Sequence, residues 1–287
     1  MNRKHLVQLV LVFFIGMNVI SQTVTYHANG AVIGTVPIDT YQYPLGTSLT
    51  ALSNTGYLAK VGYSLAGWNT AEDGNGITVC SGGTLEVSSI PINLYAIWIP
   101  TSFGYRYGGN SIEITESNPV QGVLRIPGGV TSIGNWAFKG MEGITSVIIP
   151  DSVNQIGVQA FWGNTKLREV TLPRNLIRIS AGLFFRSTNL RNIELPRFLE
   201  SIESQAFLKS GITKVRIPKT VINIDDRAFS ECPNLLAVYF FSPVPPLLGN
   251  QVFGESVSSR FKIYVPKENY ARYCASWPEL ASFITTF

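Results

Sequence analysis

Apolar side chains recur along this chain in two rhythms. From residue 101 onward the rhythm is long: Phe138, Phe161, Phe184, Phe207, Phe229 and Phe253 stand 23, 23, 23, 22 and 24 residues apart. Prolines keep the same interval. Pro127, Pro150, Pro173 and Pro196 are spaced by 23 and Pro218 follows after 22, each behind an Ile or Leu. Within a period, TSVIIP, REVTLP, RNIELP and TKVRIP alternate apolar with variable residues. Val147/Ile149, Val170/Leu172, Ile193/Leu195 and Val215/Ile217 are therefore expected to face inward on a short strand that proline ends. A second apolar pair follows, as in Val153/Ile156 and Leu199/Ile202, and then an Ala-Phe segment predicted to make a helical or 3₁₀ turn. One such unit cannot cover its own apolar face, so units must stack, and the predicted product is a right-handed solenoid. The proline is skipped at Phe240-Phe241 and returns at Val265-Pro266.

Residues 22–99 have the shorter rhythm of a mostly β module. VTYHANG reads as an alternating strand running into Asn29-Gly30, GYSLAGWNT as another, and LYAIW at 94–98 as a closing strand. DGNG at 73–76 predicts a tight hairpin turn, because Gly74 and Gly76 tolerate positive φ. Tyr63, Trp68, Tyr95 and Trp98 are expected to bury large areas here. Residues 99–102, IPTS, leave little room for a flexible linker, so the module should abut the solenoid of residues 100–287.

Residues 1–21 are predicted to be a secretory signal peptide, cleaved before Gln22. A basic start, MNRKH, precedes an apolar run from Leu6 to Ile20 that Gln8, Gly16 and Asn18 make too short and too polar for a comfortable span. An uncleaved N-terminal anchor is the alternative. No later segment is long and apolar enough to hold the chain in a bilayer, so a secreted or cell-surface protein without an integral membrane anchor is expected.

Composition narrows the chemistry. Of 287 residues, 45% are hydrophobic and 14% charged, which suits a packed core. Two His and three Cys cannot build most zinc, haem or iron–sulfur sites. His27 is the only histidine after the leader, so no Ser–His–Asp or Cys–His arrangement is at hand, and no phosphate-binding loop follows a strand. Asn69, Glu72, Asp73 and Asn75 resemble a calcium loop in composition, but the segment runs on into Thr78, Val79 and Cys80 without the closing bidentate Glu. No catalytic residue, metal or cofactor is expected. Cys80, Cys232 and Cys274 cannot all pair; a Cys232–Cys274 bridge is left open by the sequence. The net charge of +4 is too mild for a nucleic-acid binder.

The series VTYHANG, TVP, GYSLAGWNT, DGNG and LYAIW resembles the internalin B-type, or Listeria–Bacteroides, repeat. That resemblance implies a β-grasp-like fold on bacterial surface proteins. The pattern LxxVxIPxxVxxIxxxAFxxC, nearly whole across residues 212–235, resembles the BspA-like leucine-rich repeat. It implies a secreted or surface protein that binds host or neighbouring-cell proteins. FGYRYGGNSIEIT at 103–115 and FKIYVPKENYARYCASWP at 261–278 resemble that family's caps, an opening hairpin and a final strand with a closing helical turn.

Stacked periods make ladders of equivalent residues. One outward column is expected to hold Arg125, Ile148, Thr171, Glu194, Arg216, Tyr239 and Tyr264; its neighbour holds Ser146, Glu169, Asn192, Lys214, Ala237 and Lys262. Tyrosines with mixed charges suit recognition of an extracellular protein, although an ordinary solvated sheet would look the same. Behind proline the column reads Gly128, Asp151, Arg174, Arg197, Lys219 and later Lys267. Residues 166–219 hold eleven basic side chains against four acidic ones. Stacked cations on Arg174, Arg197 and Lys219 point to an acidic partner, either an acidic protein patch or a sulfated glycan, with plain solvation of turn residues as the competing reading.

Overall fold

Six phenylalanine rings form a single file through the centre of the solenoid. Successive centroids from Phe138 to Phe253 lie 5.3, 5.9, 5.6, 5.1 and 6.1 Å apart, with planes within 22° of parallel. These distances exceed the rung spacing of about 4.8 Å, so the rings slide into offset stacks, the arrangement their quadrupoles favour. Phe103 meets Phe138 edge-on at 5.8 Å and 78°, and Phe261 meets Phe253 tilted at 5.3 Å and 45°. The file thus ends in turned rings rather than bare faces. The structure, a computed structural model, describes residues 21–88, 91–108, 111–254 and 258–287. The expected leader lies outside these apart from Ser21, which pairs with Pro44.

The chain is mostly β, winding through about seven solenoid turns. Each turn has three sides. The first carries parallel strands Gly122–Arg125, Ile144–Ile148 and Glu169–Thr171, then Lys214–Ile217, Ala237–Phe240, Lys262–Val265 and Ile284–Thr286. Proline does more than end these strands. Its carbonyl accepts the N–H three residues on, from Val153 at Pro150, Leu199 at Pro196 and Val221 at Pro218, and so closes the corner. The second side is built from two-residue strands such as Arg178–Ile179, Ser201–Ile202 and Asn223–Ile224.

The third side is not the helical or 3₁₀ turn expected of the Ala-Phe segment. The residue two before each Phe has positive φ: Trp136, Gln159, Gly182, Gln205, Arg227 and Gln251, all between 50° and 60°. A left-handed residue in every turn forbids helix propagation. The freed backbone bonds instead run between rungs, from the N–H of Phe184 to Ala206 O (2.8 Å) and of Phe207 to Ala228 O (2.8 Å).

The opening hairpin forms as Phe103–Gly108 against Ser111–Ser117. At the other end an α-helix, Tyr270–Ser276, follows the final expected strand, but the cap does not stop at residue 278. The helix serves as a crossover to one further parallel strand, Ile284–Thr286, with Ile284 aligned on Ile263 and buried.

In the first module, Val24–His27 lies parallel to Ile92–Pro100, which pairs antiparallel with Tyr63–Asn69, which in turn pairs with Thr78–Val79. Trp68 and Trp98 are buried, with Tyr26 edge-on to Trp68 at 4.7 Å. Tyr63 is not a core residue: it shares the face of Leu65 and Trp68 but stands at the outer end of its strand, opposite Pro100, 40% exposed under the Lys60 ammonium. DGNG is the tip of a longer loop wound around Asn69. The Asn69 Oδ1 accepts from the N–H groups of Ala71 and Gly76, and its Nδ2 donates to Gly74 O, Gly76 O and Thr78 Oγ1.

The two modules share one apolar cluster. Ala66, Cys80, Ile97 and Ile99 pack with Phe103, Ile126 and Val130 of the solenoid. Thr78 Oγ1 donates to Gly129 O at 2.9 Å. Gly74, at φ +79°, lies so close that a Cβ there would stand 2.3 Å from the Gly128 carbonyl carbon.

No disulfide joins the cysteines, so the Cys232–Cys274 bridge is not formed; Cys80 and Cys232 are buried and Cys274 half-buried. Burial pushes the Cys232 thiol up, against a smaller downward pull from Ser210. Thiol titration of the native chain at neutral pH is expected to modify Cys274 first, with Cys80 and Cys232 reacting only after unfolding; rapid native-state labelling of Cys232 would contradict this packing. Phe184→Ala should remove about 3–5 kcal/mol from the unfolding free energy in urea. A loss below about 1 kcal/mol would show that the ring file is not the core.

Candidate functional site

The outward columns exist where the ladder is intact. Arg125 stands opposite Ile148 and Ile148 opposite Thr171, with Ser146 opposite Glu169. Further along, Arg216, Tyr239 and Tyr264 are successive partners, as are Lys214, Ala237 and Lys262. Between these two blocks the sheet is split. Asn192 to Leu195 form no ladder with either neighbour, and the backbone bond nearest to them is Thr213 N–H to Arg191 O at 3.0 Å. Glu194 is therefore not a rung of the column, contrary to expectation, and Thr171 lies on a sheet edge. The shortened period bears on this: the corner Ser210–Gly211–Ile212 is one residue tighter than its equivalents. Gly211 approaches so closely that a Cβ would stand 2.1 Å from Thr188 O. The split rung is held from the other two sides, by pairing of Arg178–Ile179 with Ser201–Ile202 and by the Phe184-to-Ala206 bond.

A cleft flanks the split rung on each side. The first, of about 1040 Å³, is lined by Thr171, Arg174, Arg191, Asn192 and Glu194, and Asn75 of the first module reaches its edge. The second, of about 640 Å³, brings together five of the expected site residues, Glu194, Arg197, Lys214, Arg216 and Lys219, over walls of Ile193, Leu195, Pro218 and Phe241.

The expected cation column divides between these clefts. Arg174 is neutralised within the chain: its Nη2 lies 2.6 Å from Asp151 Oδ2, its Nε donates to the same oxygen, and its main-chain N–H donates to Oδ1. With Arg174 84% exposed, that pair contributes little stability, but it removes Arg174 from the free cations. Arg197 lies over the Phe198 ring at 4.5 Å. Among the described residues, no carboxylate lies within ion-pair distance of Arg197, Lys214, Arg216 or Lys219.

Beside the second cleft the face turns aromatic. Tyr239 stacks on Tyr264 at 4.6 Å and 10°, and Phe287 bridges from Tyr239 to Phe241 at 6.4 and 5.4 Å. Phe241 and Phe287 are 44% and 53% exposed. Neither was among the expected site residues. Phe241 announces itself as the residue in the slot where proline is missing; Phe287 gives no local signal, because it reaches the face only through the crossover helix. Arg125, four rungs before the Lys214 rung on the same side, takes no part in this patch.

Elsewhere the chemistry is sparse. No group of three or more His, Cys, Asp or Glu is placed to hold a metal among the described residues. His27 shares a hydrogen bond with Asn93 Oδ1 at 2.9 Å and stacks on Tyr95 at 4.3 Å, a structural position. Among the described residues no helix is long and apolar enough to cross a membrane.

Comparison with known proteins follows the same division. A BspA-type leucine-rich repeat region is matched in six copies over residues 121–236, and a Listeria–Bacteroides repeat domain over residues 23–97. Among solved structures, a leucine-rich repeat protein from Bacteroides ovatus is 20% identical with a TM-score of 0.45, covering 58% of this chain and 60% of its own. The leucine-rich repeat protein of T. pallidum is 25% identical with a TM-score of 0.47, covering 61% and 93%. A leucine-rich cell surface protein from Faecalibacterium prausnitzii is 22% identical with a TM-score of 0.34, covering 52% and 56%. The chain thus spans about 60% of the Bacteroides protein's length. Among curated proteins none matches. Residues 121–236 are thus a BspA-type leucine-rich repeat region, and a Listeria–Bacteroides repeat domain precedes them at residues 23–97.

Proposed function

We propose that the chain is an exported, surface-exposed adhesin. It recognises a protein of a host or neighbouring cell through the solenoid's sheet face and performs no chemistry of its own. The observation that carries this reading is the aromatic patch in which the half-buried, stacked Tyr239 and Tyr264 adjoin the exposed Phe241 and Phe287, beside Lys214 and Arg216 on a backbone fixed by ladder bonds. Large rings left in water on a rigid surface are the composition of recognition patches, in which aromatics and arginine supply most of the binding energy. Because the rungs are already ordered, little conformational entropy is lost on contact. Export rests on the leader read in residues 1–21, and the absence of a triad, phosphate loop or metal cluster among the readable motifs supports binding rather than turnover.

The modules share a core, so the test uses the whole chain rather than fragments. Labelled protein is scored on host epithelial cells and on co-resident bacteria by flow cytometry. The Y239S/Y264S double variant is expected to lose about tenfold in cell binding, as hot-spot removal does. Trp136→Ser, on the phenylalanine-turn side, should bind as the wild type does. Equal binding by all three proteins, or equal loss in both variants, would refute recognition through this face.

A further inference from the structure

Within that reading, on which this step rests, we infer that the part of the partner gripped is an extended, acidic stretch of polypeptide lying along the split rung, between Asn192–Leu195 and the strand Lys214–Ile217.

Three observations converge on it. The first is charge. Arg197, Lys214, Arg216 and Lys219 line one cleft with no carboxylate partner among the described residues, and Glu194 is the sole acidic side chain among its lining residues. Cations on neighbouring rungs repel, and a bound anionic ligand converts that repulsion into attraction. One rung earlier the same problem is solved internally, by Asp151 under Arg174. After Arg197 no carboxylate among the described residues takes that role, which leaves the place open to an anion from outside.

The second is backbone. Asn192 to Leu195 run without ladder bonds to either neighbour, so their N–H and C=O groups stand unpaired in the middle of a sheet. A polypeptide in strand conformation offers donors and acceptors at the same repeat, the basis of recognition by strand addition. A sulfated glycan carries hydroxyl donors as well as sulfate acceptors, but not alternating at the repeat of a strand. The third is the floor. Ile193, Leu195, Pro218 and Phe241 make apolar walls beneath the basic rim. A strand sends alternate side chains to opposite sides, so a sequence alternating acidic with apolar residues satisfies rim and floor together.

A second copy of this chain is a poor occupant, since residues 100–287 carry nineteen basic against fourteen acidic side chains.

The test pans a random dodecapeptide phage library against the full chain, with the K214S/R216S variant as counter-target. A heparin-derived octasaccharide is titrated in parallel. Matching thermal midpoints confirm that the variant is folded, as expected for exposed side chains. Retained sequences should alternate Asp or Glu with apolar residues. A synthetic copy should bind the wild type, weaken about tenfold against K214S/R216S, and weaken at least as much when alternate amides are N-methylated. Three outcomes overturn the inference: retained peptides without acidic excess, indifference to N-methylation, or octasaccharide binding that depends on Lys214 and Arg216 while no peptide is enriched. If Y239S/Y264S abolishes cell binding and no such peptide emerges, the acidic strand falls and the sheet face stands. Cell binding untouched by that pair removes the face itself.

Discussion

Everything in the solenoid depends on one repeated contact, a phenylalanine ring lying on the ring of the rung before it. The contact fixes the rise, and the rise fixes which residues meet along each side. Because each ring's two faces are covered only by its neighbours, no rung is stable alone and the ends need special treatment. Phe103 and Phe261 supply it by turning away from the stack direction. The corners serve the same end: a proline carbonyl closes one, and a left-handed residue two places before each Phe sets the ring's approach while freeing its N–H for the next rung.

A core held from two sides tolerates an opening on the third. Along Asn192–Leu195 the ladder bonds are missing, yet Leu190, Leu199 and Phe184 of the same turn remain fully buried. Each net backbone hydrogen bond contributes about 1 kcal/mol, and groups left facing water are solvated rather than orphaned, so the split costs far less than loss of a ring would. The opening lies on the one side where strands are long enough to present alternating side chains outward. Relaxation at a recognition face, with the rigid scaffold elsewhere, is the usual division between stability and function.

How much of this was legible follows from what each signal encodes. The period, the inward pairs and the caps were readable because burial demands apolar residues at fixed places, and Val147, Ile156 and Ile217 are buried where the pattern put them. The Ala-Phe turn was misread because its left-handed position is Gly only at Gly182; Trp136, Gln159, Gln205 and Arg227 give no such sign. The split was hidden because RNIELP has the same alternation as REVTLP. Its trace was the 22-residue period, which marks a tightened corner without saying which side yields. Tyr63 was misplaced because it opens its strand beyond the reach of the core that Leu65 and Trp68 join, and an aromatic side chain does not announce where a core ends. Among the site residues, stacking of Tyr239 on Tyr264 followed from the column, whereas the clefts and Phe287 required the fold.

Arg174 and Lys219 show why a column of like charges cannot be interpreted one position at a time. Both follow a proline, and both belong to turns of the same shape. The residue in the preceding rung decides their state: Asp151 beneath Arg174, Arg197 beneath Lys219. In the first case a carboxylate reaches the guanidinium and the main-chain N–H together, so the turn is electrically complete. In the second a guanidinium lies below an ammonium, itself turned onto the Phe198 ring, whose negative face is its only described compensation. A ring's quadrupole offsets part of one charge and none of its neighbour's. The charge that remains uncompensated lines the cleft beside the split rung, so charge and open backbone stand together there.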